Sequence, residues 1–208
     1  MCTAAKIGMK QNNIRVAVTG GIASGKTTVC NYIKEQGFAL FSCDEIYAEL
    51  LTRGAFTEKL TSEFGNDILA VDGGIDRHML ANAVFSNSNK LKKLNEITHP
   101  LIFSEMFHRA ENCKGLVFFE VPVLFECGYE KLFNEVVVVQ RDINERILSL
   151  TNRNKLSLKE ARIRIESQLN YNNCKFEEYY VIHNQGNIDN LREVIRLILA
   201  KMARKYGL

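Results

Sequence analysis

Eight consecutive residues, Gly20-Gly21-Ile22-Ala23-Ser24-Gly25-Lys26-Thr27, constrain this chain more than any other feature. They match G-x-x-x-x-G-K-[ST] and stand between a β-branched apolar run, 14–19 (IRVAVT), and a segment of helical character, 27–35. A loop of this kind curls successive backbone N–H groups around a phosphate. Gly20, Gly21 and Gly25 supply φ values and close approaches that a Cβ would block. The helix that follows adds the partial positive charge of its N-terminus. Lys26 is placed to reach the β- and γ-phosphates of a nucleotide, and the Thr27 hydroxyl is placed to bind Mg²⁺. The segment therefore demands a strand, a tight loop and a helix in that order, and it points to a nucleotide.

The remaining strand-sized runs are 38–41, 116–120 (LVFFE), 135–139 (EVVVV) and a weaker one at 179–182. Near-continuous apolar runs separated by helical segments indicate an α/β fold with a parallel sheet covered on both faces. Gly37 suits the C-terminal cap of the first helix. Between the second and third runs, 45–113 shows no convincing strand. Its apolar positions Leu91, Leu94, Ile97, Leu101, Ile102 and Met106 recur at helical spacing, and Pro100 suits the first turn of a helix. About seventy residues exceed an ordinary crossover connection, so this stretch reads as an inserted helical subdomain. A further helical stretch covers 144–168. The last, 188–205, sets an apolar stripe (Leu191, Val194, Ile195, Ile198, Met202) against a basic face that reads as solvated.

Composition removes several classes. A formal charge of +3 over 208 residues is too mild for nucleic-acid binding and suits a protein that handles small anions locally. The six cysteines (Cys2, Cys30, Cys43, Cys113, Cys127, Cys174) form no C-x-x-C pair and no metal-like spacing. The first residues hold no apolar stretch long enough for a signal peptide, whether translation starts at Met1 or Met9. No apolar run is long enough to span a bilayer. The expectation is a cytoplasmic protein with reduced thiols, without nucleic-acid or membrane partners. No interface patch stands out, so a monomer or weak homo-oligomer is expected.

The loop names a nucleotide but no reaction. The nearest approach to a GTPase N-K-x-D, Asn154-Lys155-Leu156-Ser157, lacks the closing Asp, and the protein-kinase signatures are absent. A small-molecule kinase is the simplest reading. Asp44 follows the second strand run, and a parallel sheet ends its strands on one edge, so Asp44 is expected beside the phosphate loop. There it can accept a proton from an attacking hydroxyl or hold Mg²⁺ through water; a cap on the helix that follows is the alternative. Residues 141–166 carry seven basic side chains against four acidic ones. Arg146 and Arg153 among them are placed to close over a transferring phosphoryl group from a mobile element that excludes water.

Taken in order, these positions resemble one family, the dephospho-coenzyme A kinases. The resemblance runs from about residue 15 to 184. It rests on TGGIASGKTT (19–28), the Asp44 position, FG (64–65), DGGIDRHML (72–80), VF (84–85), HP (99–100) and VPVLFE (121–126). The Arg146, Arg153 and Gln168 positions and VIHNQG (181–186) complete it. It implies a P-loop kinase fold: a five-stranded parallel sheet flanked by helices, with core segments 14–44, 114–140 and 169–208. A helical acceptor-binding subdomain at 45–113 and a helical lid at 141–168 are implied as well. It implies ATP-dependent phosphorylation of the ribose 3′-hydroxyl of dephospho-coenzyme A, with Mg²⁺. Gly21, Ile22, Ala23, Ser24, Gly25, Lys26, Thr27, Thr28 and Arg146 would then hold the nucleotide, with Thr27 on the metal. Asp44, Arg77 and His99 would face the acceptor, and Asp44, Lys26 and Arg153 would carry catalysis.

The chain departs from the family pattern in three places. Ala23 stands where the family usually has Gly, and Ser42 where it has the first acid of D-A-D. Cys174, Glu178 and Tyr179 stand where it has a basic residue and then A-D. Two rival readings are a kinase for another nucleoside, nucleotide or small metabolite, and a non-catalytic ATP-binding regulator, to which only Ser42 lends support.

Overall fold

Strand β1 (Asn13–Gly20) lies at the centre of a five-stranded parallel sheet of order β2-β3-β1-β4-β5. The structure is a computed structural model and describes residues 13–85 and 87–208. The other strands are β2 (Leu40–Ser42), β3 (Gly115–Glu120), β4 (Glu135–Gln140) and β5 (Tyr180–His183). Val16 pairs with Phe118, Val18 with Val137 and Val139 with Ile182. Val16, Ala17, Val18 and Thr19 are wholly buried, the reason these strands read as unbroken apolar runs rather than as an alternating pattern.

Helices fill the intervals: α1 (Lys26–Glu35), α2 (Cys43–Leu50), α3 (Gly54–Phe64), α4 (Arg77–Phe85), α5 (Ser88–Ala110), α6 (Ile143–Asn154), α7 (Leu158–Glu166) and α8 (Ile188–Tyr206). On one face of the sheet, Val29, Cys30, Tyr32 and Ile33 of α1 share a core with Leu191, Ile195, Leu199 and Met202 of α8 and with Val16, Phe118, Val137 and Ile182 beneath. Each such aliphatic side chain stabilises the fold by about 1.5–3 kcal/mol relative to exposure. That core fixes where β1 ends, and hence where the loop after it begins.

The chain divides into two compact units, with the boundary inside β2. One comprises the described residues to Leu40 together with Ala110–Leu208; the other is Phe41–Arg109. Among its described residues the second unit has helices as its regular structure, apart from the end of β2 and an antiparallel bridge between Leu69 and Ile75. Within it, Glu105 receives hydrogen bonds from both Arg53 and Arg109, and Arg109 also reaches Glu49.

Several boundaries differ from the sequence expectation. Pro100 lies inside α5 instead of in its first turn. A proline there removes one helical hydrogen bond, at about 3 kcal/mol. The stripe Thr98, Ile102 and Met106 is buried on either side of it, and that packing carries the helix through. β2 begins two residues late, because the Phe38 ring packs edge-on against Phe118 at 5.4 Å ahead of the strand. β5 begins one residue late, since Tyr179 joins an aromatic cluster. The 144–168 stretch is two helices, broken where Lys155 turns left-handed (φ 55°) and restarted by a capping box of Ser157 and Glu160. No disulfide links Cys30, Cys43, Cys113, Cys127 or Cys174; Cys2, like Met1 and Met9, lies outside the described residues. Among the described residues no helix is long and apolar enough to cross a membrane.

Candidate functional site

The phosphate loop leaves β1 at Gly20 and enters α1 through Gly25, whose φ of 97° lies in the left-handed region. A Cβ at Gly20 would overlap the Val139 carbonyl oxygen, one at Gly21 the Arg146 guanidinium, and one at Gly25 the Asn184 amide. Gly20 is thus fixed as glycine by backbone and Gly25 by its left-handed φ, while a side chain at Gly21 would displace the Arg146 guanidinium. The Ser24 amide donates to the Gly21 carbonyl at 3.2 Å, and the Ser24 carbonyl accepts from Asn184 Nδ2 at 2.8 Å. Lys26 Nζ folds back to donate to the carbonyls of Gly20 (2.6 Å) and Gly21 (3.1 Å). Thr27 and Thr28 follow in the first turn of α1 with exposed side chains.

Two buried polar atoms at this loop have no hydrogen-bond partner: Ser24 Oγ and Arg146 Nη2. Buried donors of this kind are rare and costly unless something satisfies them. A donor hydroxyl and a guanidinium nitrogen beside a Gly-rich turn, with an ammonium within reach, make a donor set complementary to phosphate oxygens. The residues present therefore fit a nucleotide polyphosphate. Among the described residues no cluster of three His, Cys, Asp or Glu side chains could hold a metal ion; the exposed Thr27 hydroxyl in the first turn of α1 is an oxygen donor of the kind Mg²⁺ takes.

The lid helices belong to the same unit as the loop. Asp142 caps α6 by accepting the amides of Asn144 and Glu145. Arg146, in the following turn, is buried and donates through Nε to the Ile22 carbonyl at 2.8 Å. Burial pushes its pKa down, but a guanidinium remains a cation at neutral pH. Beyond α7, Gln168 Oε1 accepts the Ile22 amide at 2.6 Å. Ile22, Ala23 and Leu156 pack on Ile147, Leu150, Ala161 and Ile165, so the lid core includes two phosphate-loop side chains. That packing accounts for an alanine held at φ 59° where glycine would be unstrained. Arg153 is exposed in the last turn of α6.

Asp44, Arg77 and His99 all fall in the second unit. Asp44 is exposed in the first turn of α2. The N-cap of that helix is Ser42, which makes no side-chain cap bond, so Asp44 is not the cap. Arg77 opens α4 and lies over the Tyr47 ring, 5.8 Å from its centre. Tyr47 is one helical turn from Asp44, so this contact brings Arg77 to the face of α2 that carries Asp44. His99 is half-buried in α5, and burial lowers the pKa of its imidazole, which favours the neutral form.

Residues 14–190 match the protein-family model for dephospho-CoA kinase. The chain belongs to the dephospho-CoA kinase family. Its relatives include the dephospho-CoA kinase of Carboxydothermus hydrogenoformans, 38% identical over 191 residues, 89% of this chain and 93% of that one. The dephospho-CoA kinase of Dehalococcoides mccartyi is 37% identical over 187 residues, covering 88% and 94%. Among solved structures, the dephospho-CoA kinase from Campylobacter jejuni superimposes with a TM-score of 0.67 at 28% identity, covering 93% of this chain and 99% of that one.

In this member of the dephospho-CoA kinase family, sequence reasoning missed the roles of Asn184, Tyr171 and Gln140. Asn184 and Gln168 stand in motif positions, yet nothing local says that they hold the loop. Tyr171 carries no signal at all, because its partners Thr19 and Glu126 lie far away in the chain.

Proposed function

We propose that this chain transfers the γ-phosphoryl group of ATP to the ribose 3′-hydroxyl of dephospho-coenzyme A, the final step of coenzyme A synthesis. The observation that carries the nucleotide half of this reading is the pair of unpaired buried donors, Ser24 Oγ and Arg146 Nη2, at the phosphate loop. The acceptor half is supported by membership of the dephospho-CoA kinase family across most of the chain.

The reaction needs one bond formed, from the 3′-oxygen to the γ-phosphorus, and one broken, from that phosphorus to the β,γ-bridging oxygen. Lys26 exchanges its two carbonyl partners for oxygens of the β- and γ-phosphates and matches the charge that spreads there. Arg146 and the loop amides between Gly21 and Thr28, other than those of Ile22 and Ser24 that bond within the protein, hold the polyphosphate in line. The Thr27 hydroxyl would hold Mg²⁺, which would supply charge neutralisation when bound. Arg153 brings a second guanidinium from the lid. Asp44 accepts the proton of the attacking hydroxyl, while Arg77 and His99 orient the acceptor. With the family's first acid replaced by Ser42, Asp44 acts alone. ATP and dephospho-coenzyme A are the partners, in the cytoplasm, and the chain works as a monomer or weak homo-oligomer.

A panel of acceptors tests the substrate assignment. Turnover of Mg·ATP is expected with dephospho-coenzyme A and absent with simple nucleosides, nucleotides and sugar alcohols. Faster turnover with any of those would replace the acceptor and keep the phosphate loop.

A further inference from the structure

The lid ends beyond α7, in a segment whose position decides whether Gln168 reaches the Ile22 amide. Gln168 lies past the last residue of α7 and is tied to that helix by one backbone bond, its amide to the Ile165 carbonyl at 3.2 Å; helix ends fray, so that bond alone does not fix it. A side-chain bond of 2.6 Å needs its main chain held to within tenths of an ångström.

The hold comes from Tyr171 and Glu126. Tyr171 is buried, 1% exposed, and its hydroxyl donates to Glu126 Oε2 at 3.1 Å while sharing a hydrogen bond with Thr19 Oγ1 at 3.4 Å. The other Glu126 oxygen accepts the amide of Leu169 at 3.3 Å, the residue next to Gln168. The Tyr171 carbonyl accepts from Gln140 Nε2 at 2.5 Å, at the end of β4. The Tyr171 ring lies 6.2 Å from Phe125 and 5.9 Å from Phe176, and those two rings stack at 5.0 Å. Burial, the largest effect, raises the Tyr171 pKa, and so the phenol keeps the proton it donates.

Thr19 immediately precedes Gly20, and Ile22 lies within the loop. The bonds therefore close a ring: Thr19 to Tyr171, Tyr171 to Glu126, Glu126 to Leu169, Gln168 to Ile22, and back along the chain to Thr19. A ring of this kind sets the span between the start of the phosphate loop and its third residue. We propose that Tyr171 and Glu126 are positioning residues for the phosphate loop, acting through the Gln168 bond to Ile22. The proposal rests on the reading that this loop binds ATP.

Direct titration of ATP into the full chain, by calorimetry, tests it on wild type, Tyr171→Phe, Gln168→Ala and the double variant. Tyr171→Phe keeps the ring in its aromatic cluster and removes only the hydroxyl. Each single change is expected to weaken ATP binding about three- to tenfold, the range of one lost hydrogen bond. The double variant is expected to match Gln168→Ala to within about twofold, because the hydroxyl acts through the missing glutamine. In steady state the KM for ATP is expected to rise and that for the acceptor to stay unchanged. ATP binding by Tyr171→Phe within about twofold of wild type, or losses that multiply in the double variant, would overturn the proposal. Should Tyr171→Phe not fold, Thr19→Val opens the same ring at the Thr19–Tyr171 bond while leaving the Tyr171–Glu126 bond in place, and carries the same two outcomes. Wild type that binds no ATP would instead overturn the phosphate-loop reading, and this proposal with it.

Discussion

Arg146 on α6 donates through Nε to the carbonyl of Ile22 at 2.8 Å. The amide of the same residue is taken by Gln168 on the far side of the lid, and its side chain enters the lid core. One loop residue is thus bonded by the lid at both its polar groups and packed against it as well. A nucleotide held by the loop would meet a lid already attached to it.

Arg146 is expected to be among the least replaceable lid residues. Arg146→Lys cannot both satisfy the Ile22 carbonyl and present a second donor beside Gly21, because an ammonium is a single point. Steady-state kinetics are expected to show kcat/KM for ATP lower by about 10²-fold, as for loss of one preorganised donor. Near-normal kinetics would mean that the buried guanidinium serves the fold alone.

Lys26→Ala is expected to lower turnover by roughly 10²–10³-fold or more while the far-ultraviolet circular dichroism stays that of the parent. The lysine donates to the carbonyls of Gly20 and Gly21 and belongs to neither hydrophobic core cluster, so its loss disturbs the site rather than the core. Normal turnover would remove Lys26 from the chemistry.

For Asp44, the conservative Asp44→Asn keeps the shape and deletes the base. The expected result is kcat lower by roughly 10²–10⁴-fold with KM for the acceptor nearly unchanged. A change confined to KM would make Asp44 a binding residue.

A stability effect is expected from the second unit. The guanidinium groups of Arg53 and Arg109 hold the Glu105 carboxyl down to about 2. A carboxylate whose folded pKa is depressed contributes stability above its unfolded value and loses it as pH falls through the folded one. The bonus is therefore complete near neutrality and disappears between an ordinary glutamate pKa, about 4.3, and about 2. Arg53 is half exposed, so solvent limits the effect to about 1 kcal/mol. Glu105→Gln is expected to lower the melting temperature at pH 7 by about 2–4 °C, with the difference shrinking on acidification. A constant difference across that range would mean the carboxylate charge contributes nothing.

How much of this was legible follows from where each signal lies. The strand, loop and helix around Gly20–Thr27 could be read because backbone chemistry demands glycine there, and the buried strands because a doubly covered sheet admits only apolar runs. Pro100 misled because helix-breaking is local whereas the buried stripe of Thr98, Ile102 and Met106 is tertiary. Arg146 and Arg153 look alike in sequence, yet one is buried against the loop and the other exposed; seven residues apart on one helix, only packing tells them apart. The Gln168–Ile22 and Tyr171–Thr19 bonds span more than a hundred residues of chain, and no local pattern encodes them. Tyr179, in the segment of Cys174, Glu178 and Tyr179 where the sequence reading expects a departure from the family pattern, joins Phe125, Tyr171 and Phe176 in an aromatic cluster that no local pattern announces.

The most direct test is ADP release from Mg·ATP by the full chain with and without dephospho-coenzyme A, with the product weighed by mass spectrometry. The expected result is release that depends on the acceptor, yielding a product heavier by one phosphate group and carrying it on the 3′-hydroxyl. ATP binding without acceptor-dependent release would contradict the assignment.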